Sequence, residues 1–440
     1  MDEVRLREHV ELIREVFYYS HRFQDKTFVF KIDYPMVMEK HFPNLLRDLA
    51  LLHQTGIHVV IVPGAKERID EVLKEYGEES HVEAGIRIST AEDLPFIKMA
   101  AFDVVNKFMT PLSGFKVNAL VGNWVRARGL GVINGVDYQF TGKVEKVNAE
   151  LLEQMLDGGH IPILPCIGWS SAGQAYNISS DDLALAVCET LGAEKLFFIS
   201  ESEGIDGRGY DVTPDVERLP DGRVPRMSVS QAQALLELNQ GVQDVDLHYI
   251  KQALAACKKG VERVHLVDGR TEGVILKEIF SNIGIGTMIY SDDYESIRSM
   301  TPGDVSDVHR LMKPLIDQGI LVNRTEEDLI ETYHDYVVYE VDGAIHACGA
   351  LHTYQDGQGE IAAIATNPSY AHLSMGKKIL GFLVSRAIKL ELRRVFVLTT
   401  QTTDWFHQMG FKEADLETLP EKKQVNYNRQ RKSKIFAKEL

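Results

Sequence analysis

The stretch "NPSYAHLSMGKKILGFLVSRAIK", residues 367–389, joins a loop of small and polar residues to a run with helical spacing. Ile379, Leu380, Leu383, Val384, Ala387 and Ile388 recur there as one buried face. Backbone N–H groups at the start of such a helix lack intrahelical partners, and the helix dipole adds positive potential, so the joint suits an anion. Many such joints bind nothing, and a single glycine before a helix does not separate the two readings. The tail from 422 to 438 is rich in lysine and arginine, which serves a solvated face or a site for anions equally well. Cys166, Cys188, Cys257 and Cys348 are isolated, without CxxC spacing or histidine companions. That argues for a reducing compartment and against structural zinc, and no metal is expected.

The elements that must position these groups fall into two patterns. With 440 residues the chain is too long for one ordinary core. A formal net charge of -16 sets a field that repels polyanions, so nucleic acid is not an expected partner. The first residues show no apolar signal region, and no window approaches 18 uninterrupted apolar residues, so neither export nor a membrane is expected. The expected location is cytoplasmic. Residues 1–20 read as an amphipathic helix with Val10, Ile13, Val16 and Phe17 on one side. "TFVFKI", "HVVIVPGA", "IPILPCIG", "KLFFIS" and "RVHLVDG" are continuous apolar runs separated by helices such as "SSDDLALAVCETLGA". Strands apolar throughout, alternating with helices, predict a parallel sheet covered on both faces, an αβα sandwich. The pattern changes between about 288 and 297. From 336 to 366 short strands alternate with turn residues (Asp342-Gly343, Asp356-Gly357), an antiparallel meander. A helix at 377–390 and the strand "RVFVLTT" follow, which makes the second domain α+β with a mixed sheet. The domains are expected at 1–290 and 296–440.

Residues 296–440 resemble the GCN5-related N-acetyltransferase superfamily. The likeness rests on the strand "EIAAIATNP", the loop and long helix after it, the hairpin order before it, and "VFVLTT" followed by "DWFHQMGF". It implies acetyl-CoA as substrate, its pyrophosphate held by amides around Met375, Gly376 and Lys377, with Ile364, Ala365 and Thr366 along the donor. The loop departs from the superfamily pattern: Ser374 stands where a glycine is usual, and Ala371 where Gln or Arg is.

Residues 20–290 resemble the amino acid kinase family, most closely acetylglutamate kinases and the kinase-like half of acetylglutamate synthases. "GVDYQFTGKVEKV", "YNISSDDLALAVCETLGAEKLFF" and "LKEIFSNIGIGTMI" carry that likeness. The kinases' glycine pair is replaced in "FKIDYPM" by Asp33 and Tyr34, beside the surviving Lys31. Tyr249 stands where the kinases have a lysine. Asp181 is retained, though an aspartate there can also cap a helix. Kinase chemistry is expected to be lost. A degenerate kinase joined to an acetyltransferase resembles the bacterial N-acetylglutamate synthase family, and "GILVNRTEEDL" and "LPEKKQVNYNRQRKSKIF" look like that family's segments.

This resemblance implies acetyl transfer to the α-amino group of L-glutamate in arginine biosynthesis. An α-amino group is mostly protonated at neutral pH, so a base must collect a proton. The family position is Glu360, and the thiolate's proton donor is Thr399, with Thr400 adjacent. Backbone N–H groups of 361–366 polarise the thioester carbonyl. Two carboxylates on the acceptor call for arginine, whose planar fork donates two bonds at once, and Arg324 and Arg431 match the family positions. His346, His352 and His407 show no partner in the sequence and read as packing or surface residues. In the relatives L-arginine binds the kinase-like domain and inhibits at a distance. The corresponding residues here are Tyr18, Tyr19, Lys195, Glu278, Gly284 and Gly286, with Glu278 as the guanidinium's partner. A homo-oligomer is expected. The rival readings are an acetylglutamate kinase-like protein and an amino-acid sensor with an inactive acetyltransferase-like domain.

Overall fold

The computed structural model describes residues 10, 13–14, 16–17, 19–280, 284–291, 295–341, 344–368, 375–401 and 403–440. It divides into two compact units, Met1–Asp292 and Asp293–Leu440.

Six strands form the main sheet of the first unit, in the order Arg226–Ser228, Thr287–Tyr290, Arg263–Asp268, Lys195–Ser200, Thr27–Ile32 and His58–Pro63. The last four are mutually parallel, as the continuous apolar runs require. Thr287–Tyr290 runs antiparallel to Arg263–Asp268, so two strands at one edge are reversed. Alternation sorts the side chains. Phe28, Phe30, Ile32, Phe197 and Ile199 pack on one face, while Val29, Leu196 and Phe198 pack on the other. "IPILPC" is shorter than its apolar run suggests: only His160–Pro162 is a strand, with one bridge from Ile163 to Ile61. Pro162 and Pro165 lack the N–H groups that a longer ladder needs. The helix Ser180–Leu191 starts at Ser179, whose side chain accepts from the Asp182 N–H, and ends on left-handed Gly192. In the first helix Val10, Ile13 and Phe17 are exposed rather than buried.

Asp48, on the helix Phe42–Gln54, is buried with one carboxylate oxygen lacking a partner. Burial pushes its carboxyl up to about 6, against roughly 3.9 for an unperturbed aspartate. A raised carboxyl stabilises the fold most below the unfolded value, and that contribution is lost as pH rises through the folded one. Asp48→Asn is therefore expected to melt above the parent protein at pH 7.5, with the gap closing near pH 4. A gap of equal size at both pH values, read by thermal denaturation, contradicts this.

The second unit holds a seven-stranded mixed sheet: Glu295–Ser299, Tyr336–Val341, Ala344–Thr353, Gln358–Thr366, Arg394–Thr399, Lys434–Glu439 and Lys412–Glu413. The helix Met375–Lys389 covers one face through Met375, Ile379, Leu380, Leu383 and Ala387. The helices Val305–Asp317 and Glu326–Thr332 cover the other through Val308, Met312 and Leu329. No helix among the described residues is long and apolar enough to cross a membrane.

Candidate active site

Gln358–Thr366 pairs in parallel with Arg394–Thr399 only over Gln358, Gly359 and Glu360. Beyond Glu360 the two strands part, and among the described residues the edge that carries Ile364, Ala365 and Thr366 has no partner strand on that side. Ala363 sits at a positive φ of 54°, where the register with Ala344–Thr353 shifts. This bulge resets the alternation. Without it Ile364 would share a face with Glu360; with it, Ala363 and Ala365 pack on the side of Tyr336 and Cys348, and Ile364 packs on the other. A parted strand edge with free amides is what a thioester carbonyl can use.

Glu360 is buried at the point of divergence. The Tyr354 hydroxyl donates to its Oε2 at 2.8 Å, and Lys423 Nζ lies 2.6 Å from its Oε1. Burial, then the Glu360 charge, pushes the Tyr354 phenol up, so it stays a donor. Thr399 belongs to the alternation of Val395 and Val397, opposite to that of Phe396, the residue facing Glu360. Its hydroxyl donates to the Gln401 carbonyl and accepts from the Gln401 N–H at 3.2 Å. The two candidates share no hydrogen bond among the described residues.

The cationic candidates converge on one loop. Arg324 precedes a capping box in which Thr325 and Asp328 exchange side-chain-to-backbone bonds, so the start of Glu326–Thr332 fixes its backbone. Arg431 Nη2 donates to the carbonyls of Gly319 and Ile320 at 3.0 and 2.9 Å, at the end of Val305–Asp317. Met375 is buried, Lys377 is exposed, and Gly376 opens the helix. A Cβ on Gly376 would come no nearer than 3.7 Å to Thr366 or Trp405, so no neighbour among the described residues demands a glycine there. Ala371 and Ser374 lie outside the described residues. Among the described residues no group of three or more His, Cys, Asp or Glu converges as metal ligands.

In the first unit the expected effector residues gather on one sheet face. Lys195 and Arg263 are opposite each other, as are Phe197 and His265. The Lys195 ammonium stands 5.0 Å from the Tyr19 ring centre and 4.7 Å from that of Phe23, and Tyr19 packs on Phe280. Glu278 is already engaged: His265 Nδ1–H donates to Oε1 at 2.7 Å, and the N–H groups of Ile285 and Gly286 donate to Oε2 at 2.7 and 3.0 Å. Burial works against its charge, but these bonds prevail and hold its carboxyl below the usual range. Gly284 and Gly286 are sterically required. A Cβ would lie 2.7 Å from a Glu278 oxygen at the first and 2.0 Å from the Leu266 carbonyl at the second. Tyr18 lies outside the described residues.

The segment that aligns with the kinases' phosphate loop is filled from within. Lys31 Nζ pairs with Asp33, lies 2.7 Å from Asp181 Oδ1, and donates to the Tyr249 hydroxyl at 2.9 Å. Tyr249 in turn donates to Asp33, and His248 Nε2 meets Asp181 at 2.9 Å. Burial pulls the Lys31 ammonium down, yet Asp181 and Asp33 outweigh it and keep the lysine charged. Its charge is thereby neutralised before any phosphate arrives.

Several partners were not visible in the sequence. Tyr354 and Lys423 on Glu360, and His265 on Glu278, join residues whose spacing shows no pattern. His352, read from the sequence as a packing or surface residue, donates to Asp335 at 2.6 Å. One signal existed: counting back from the Asp356-Gly357 turn puts His352 directly opposite Glu360.

Comparison with known proteins returns the same two-part architecture. The amino acid kinase family matches residues 31–268, and the acetyltransferase (GNAT) family matches residues 305–411. An amino acid kinase domain followed by a GNAT domain defines the class, an acyltransferase carrying a kinase-like unit. An amino-acid acetyltransferase of Escherichia fergusonii is 32% identical over 453 aligned residues, covering 100% of both chains. The crystal structure of N-acetylglutamate synthase from Neisseria gonorrhoeae complexed with coenzyme A and L-arginine is 31% identical. It covers 98% of this chain and 99% of its own, with a TM-score of 0.86. The same enzyme complexed with coenzyme A and N-acetyl-glutamate matches over the same extent with a TM-score of 0.62. The chain belongs to the amino-acid acetyltransferase family.

Proposed function

We propose that the chain transfers the acetyl group of acetyl-CoA to the α-amino group of L-glutamate, the first step of arginine biosynthesis, under control by L-arginine. The observation that carries this is the parted edge of Gln358–Thr366, with buried Glu360 at its start and two arginines meeting on one neighbouring loop. Full-length likeness to a synthase solved with coenzyme A, N-acetyl-glutamate and L-arginine supports it.

In this reading Arg324 and Arg431 hold the acceptor's carboxylates and present its amine at the strand edge. Glu360 receives the ammonium proton, directly or through a water. The freed nitrogen lone pair attacks the thioester carbon, whose oxygen is polarised by backbone N–H groups of 361–366. A C–N bond forms, the C–S bond breaks, and the proton shed by the attacking nitrogen passes through the Thr399 hydroxyl to the leaving thiolate. Met375, Gly376 and Lys377 hold the pyrophosphate, and the small Gly376 allows close approach. Tyr19, Lys195, Glu278, Gly284 and Gly286 form the arginine site of the 1–290 unit, with Tyr18 assigned to it by resemblance. A cytoplasmic homo-oligomer completes the proposal; the exposed apolar strip of Val10, Ile13 and Phe17 supports self-association.

The test is CoA release by the purified protein with acetyl-CoA and each amino acid in turn, with and without arginine. Glutamate-dependent release is expected, with no ATP-dependent phosphorylation of acetylglutamate, because Lys31 is neutralised by Asp33 and Asp181. Release with every acceptor except glutamate would refute the acceptor, and kinase turnover would refute the lost phosphate site.

A further inference from the structure

Tyr336 is fully buried, and its hydroxyl has no hydrogen-bond partner among the described residues. Three other buried tyrosines differ: Tyr249 donates to Asp33, Tyr34 donates to Glu71, and Tyr339 accepts from Lys378. A buried phenol without a partner is costly, and its persistence asks for an explanation.

Its place in the sheet supplies one. Tyr336 lies opposite Ala350, and Ala350 lies opposite Ala362. Two residues along, on the same face, His352 lies opposite Glu360. The Tyr336 ring meets the His352 ring edge-on at 6.1 Å. Between the Tyr336 ring and the carboxylate of Glu360 this face carries the methyl groups of Ala350 and Ala362 and the His352 ring, and Ala362 is half-buried. Ala350 is buried in one core with Val308 and Met312, so the half-buried Ala362 marks the open side of this face. The charged groups around the phenol are Arg324, Asp335 and Asp328, with the Cys348 thiol beside them. Burial is the main influence on the phenol and pushes it up to about 12, against the opposing pull of Arg324. The hydroxyl therefore remains a donor throughout the neutral range.

We propose that the Tyr336 hydroxyl is a specificity group of the acceptor pocket, donating a hydrogen bond to a carboxylate oxygen of the bound amino acid beside Arg324. The proposal rests on the acetyl-acceptor reading given above. A neutral donor fits this place because the guanidiniums of Arg324 and Arg431 bring charge while the phenol adds direction. The free enzyme carries the unmet hydroxyl, and the acceptor satisfies it.

The test is Tyr336→Phe in the full-length enzyme, which keeps the ring and removes one oxygen. The KM for glutamate is expected to rise about 10-fold or more, as for a lost hydrogen bond to a charged group. The KM for acetyl-CoA should stay within about twofold. The melting temperature without ligands should hold or rise, because the lost oxygen had no partner in the fold. A role in packing alone predicts the opposite pattern, a lower melting temperature with both KM values moving together. An unchanged glutamate KM in a wild-type-like background overturns the assignment of Tyr336 alone. If the unaltered enzyme binds acetyl-CoA by titration yet releases no CoA with glutamate, the acceptor reading fails and this proposal falls with it.

Discussion

Glu360→Gln is expected to lower kcat by about 10²–10⁴-fold while leaving acetyl-CoA binding within a few-fold of native. A glutamine can keep the bond from Tyr354 to one oxygen, but it cannot take a proton from the acceptor's ammonium group. The geometry sharpens the expectation. Lys423 at 2.6 Å and Tyr354 at 2.8 Å hold the two carboxylate oxygens separately, which locks the side chain where the strands part. Loss of orientation and loss of basicity then fall on the same step. Lys423 is partly exposed, so its ammonium keeps access to water when its partner is neutralised, and the fold should survive. Steady-state kinetics at neutral pH with an acetyl-CoA titration in parallel make the check. Near-native turnover in the variant removes Glu360 from the role of base.

The second large effect concerns arginine. Glu278→Gln is expected to raise the arginine concentration for half-maximal response by about 10–100-fold, the loss attached to a hydrogen bond made by a charged group. Activity without arginine should stay within about twofold. The carboxylate accepts from three donors: His265 and the amides of Ile285 and Gly286. A glutamine offers one oxygen and one NH2 group, so one of those donors must face another donor. The turn around Gly284 and Gly286 loses its anchor even before any guanidinium is considered. Linkage adds a requirement: arginine and the substrates must alter one another's affinity by the same factor. Calorimetry on the whole protein decides the matter, since no heat with millimolar arginine would end the effector reading.

The pattern of apolar runs made both sheets legible, because strand alternation is a local property that needs no knowledge of the partner. Phe28, Phe30 and Ile32 against Val29 can be read from six letters. The reversal of Thr287–Tyr290 cannot, because strand direction depends on the connection after Val274–Phe280 and not on the strand's composition. The same division runs through the sites. Lys31, Asp33 and Tyr249 were legible through family likeness, and so was Glu360. Lys423, sixty-three residues beyond Glu360, was not, because the pairing arises from the fold of the tail and leaves no trace in spacing. The bulge at Ala363 was invisible for another reason: alanine is not a residue that announces positive φ, and the strain there is imposed by the sheet.

The knot of Lys31, Asp33, Asp181 and Tyr249 has a bearing on ancestry and return. Replacing Asp33 with glycine frees only part of the lysine, because Asp181 remains 2.7 Å away and the Tyr249 ring still fills the space beside it. Replacing Tyr249 with lysine alone removes the hydroxyl that donates to Asp33 and accepts from Lys31, and sets a second ammonium beside the first. Each single step toward a working phosphate pocket leaves a buried charge or hydroxyl without its counterpart, and such states lose stability before they gain any activity. Any route to phosphoryl transfer in this unit therefore passes through a valley of less stable intermediates.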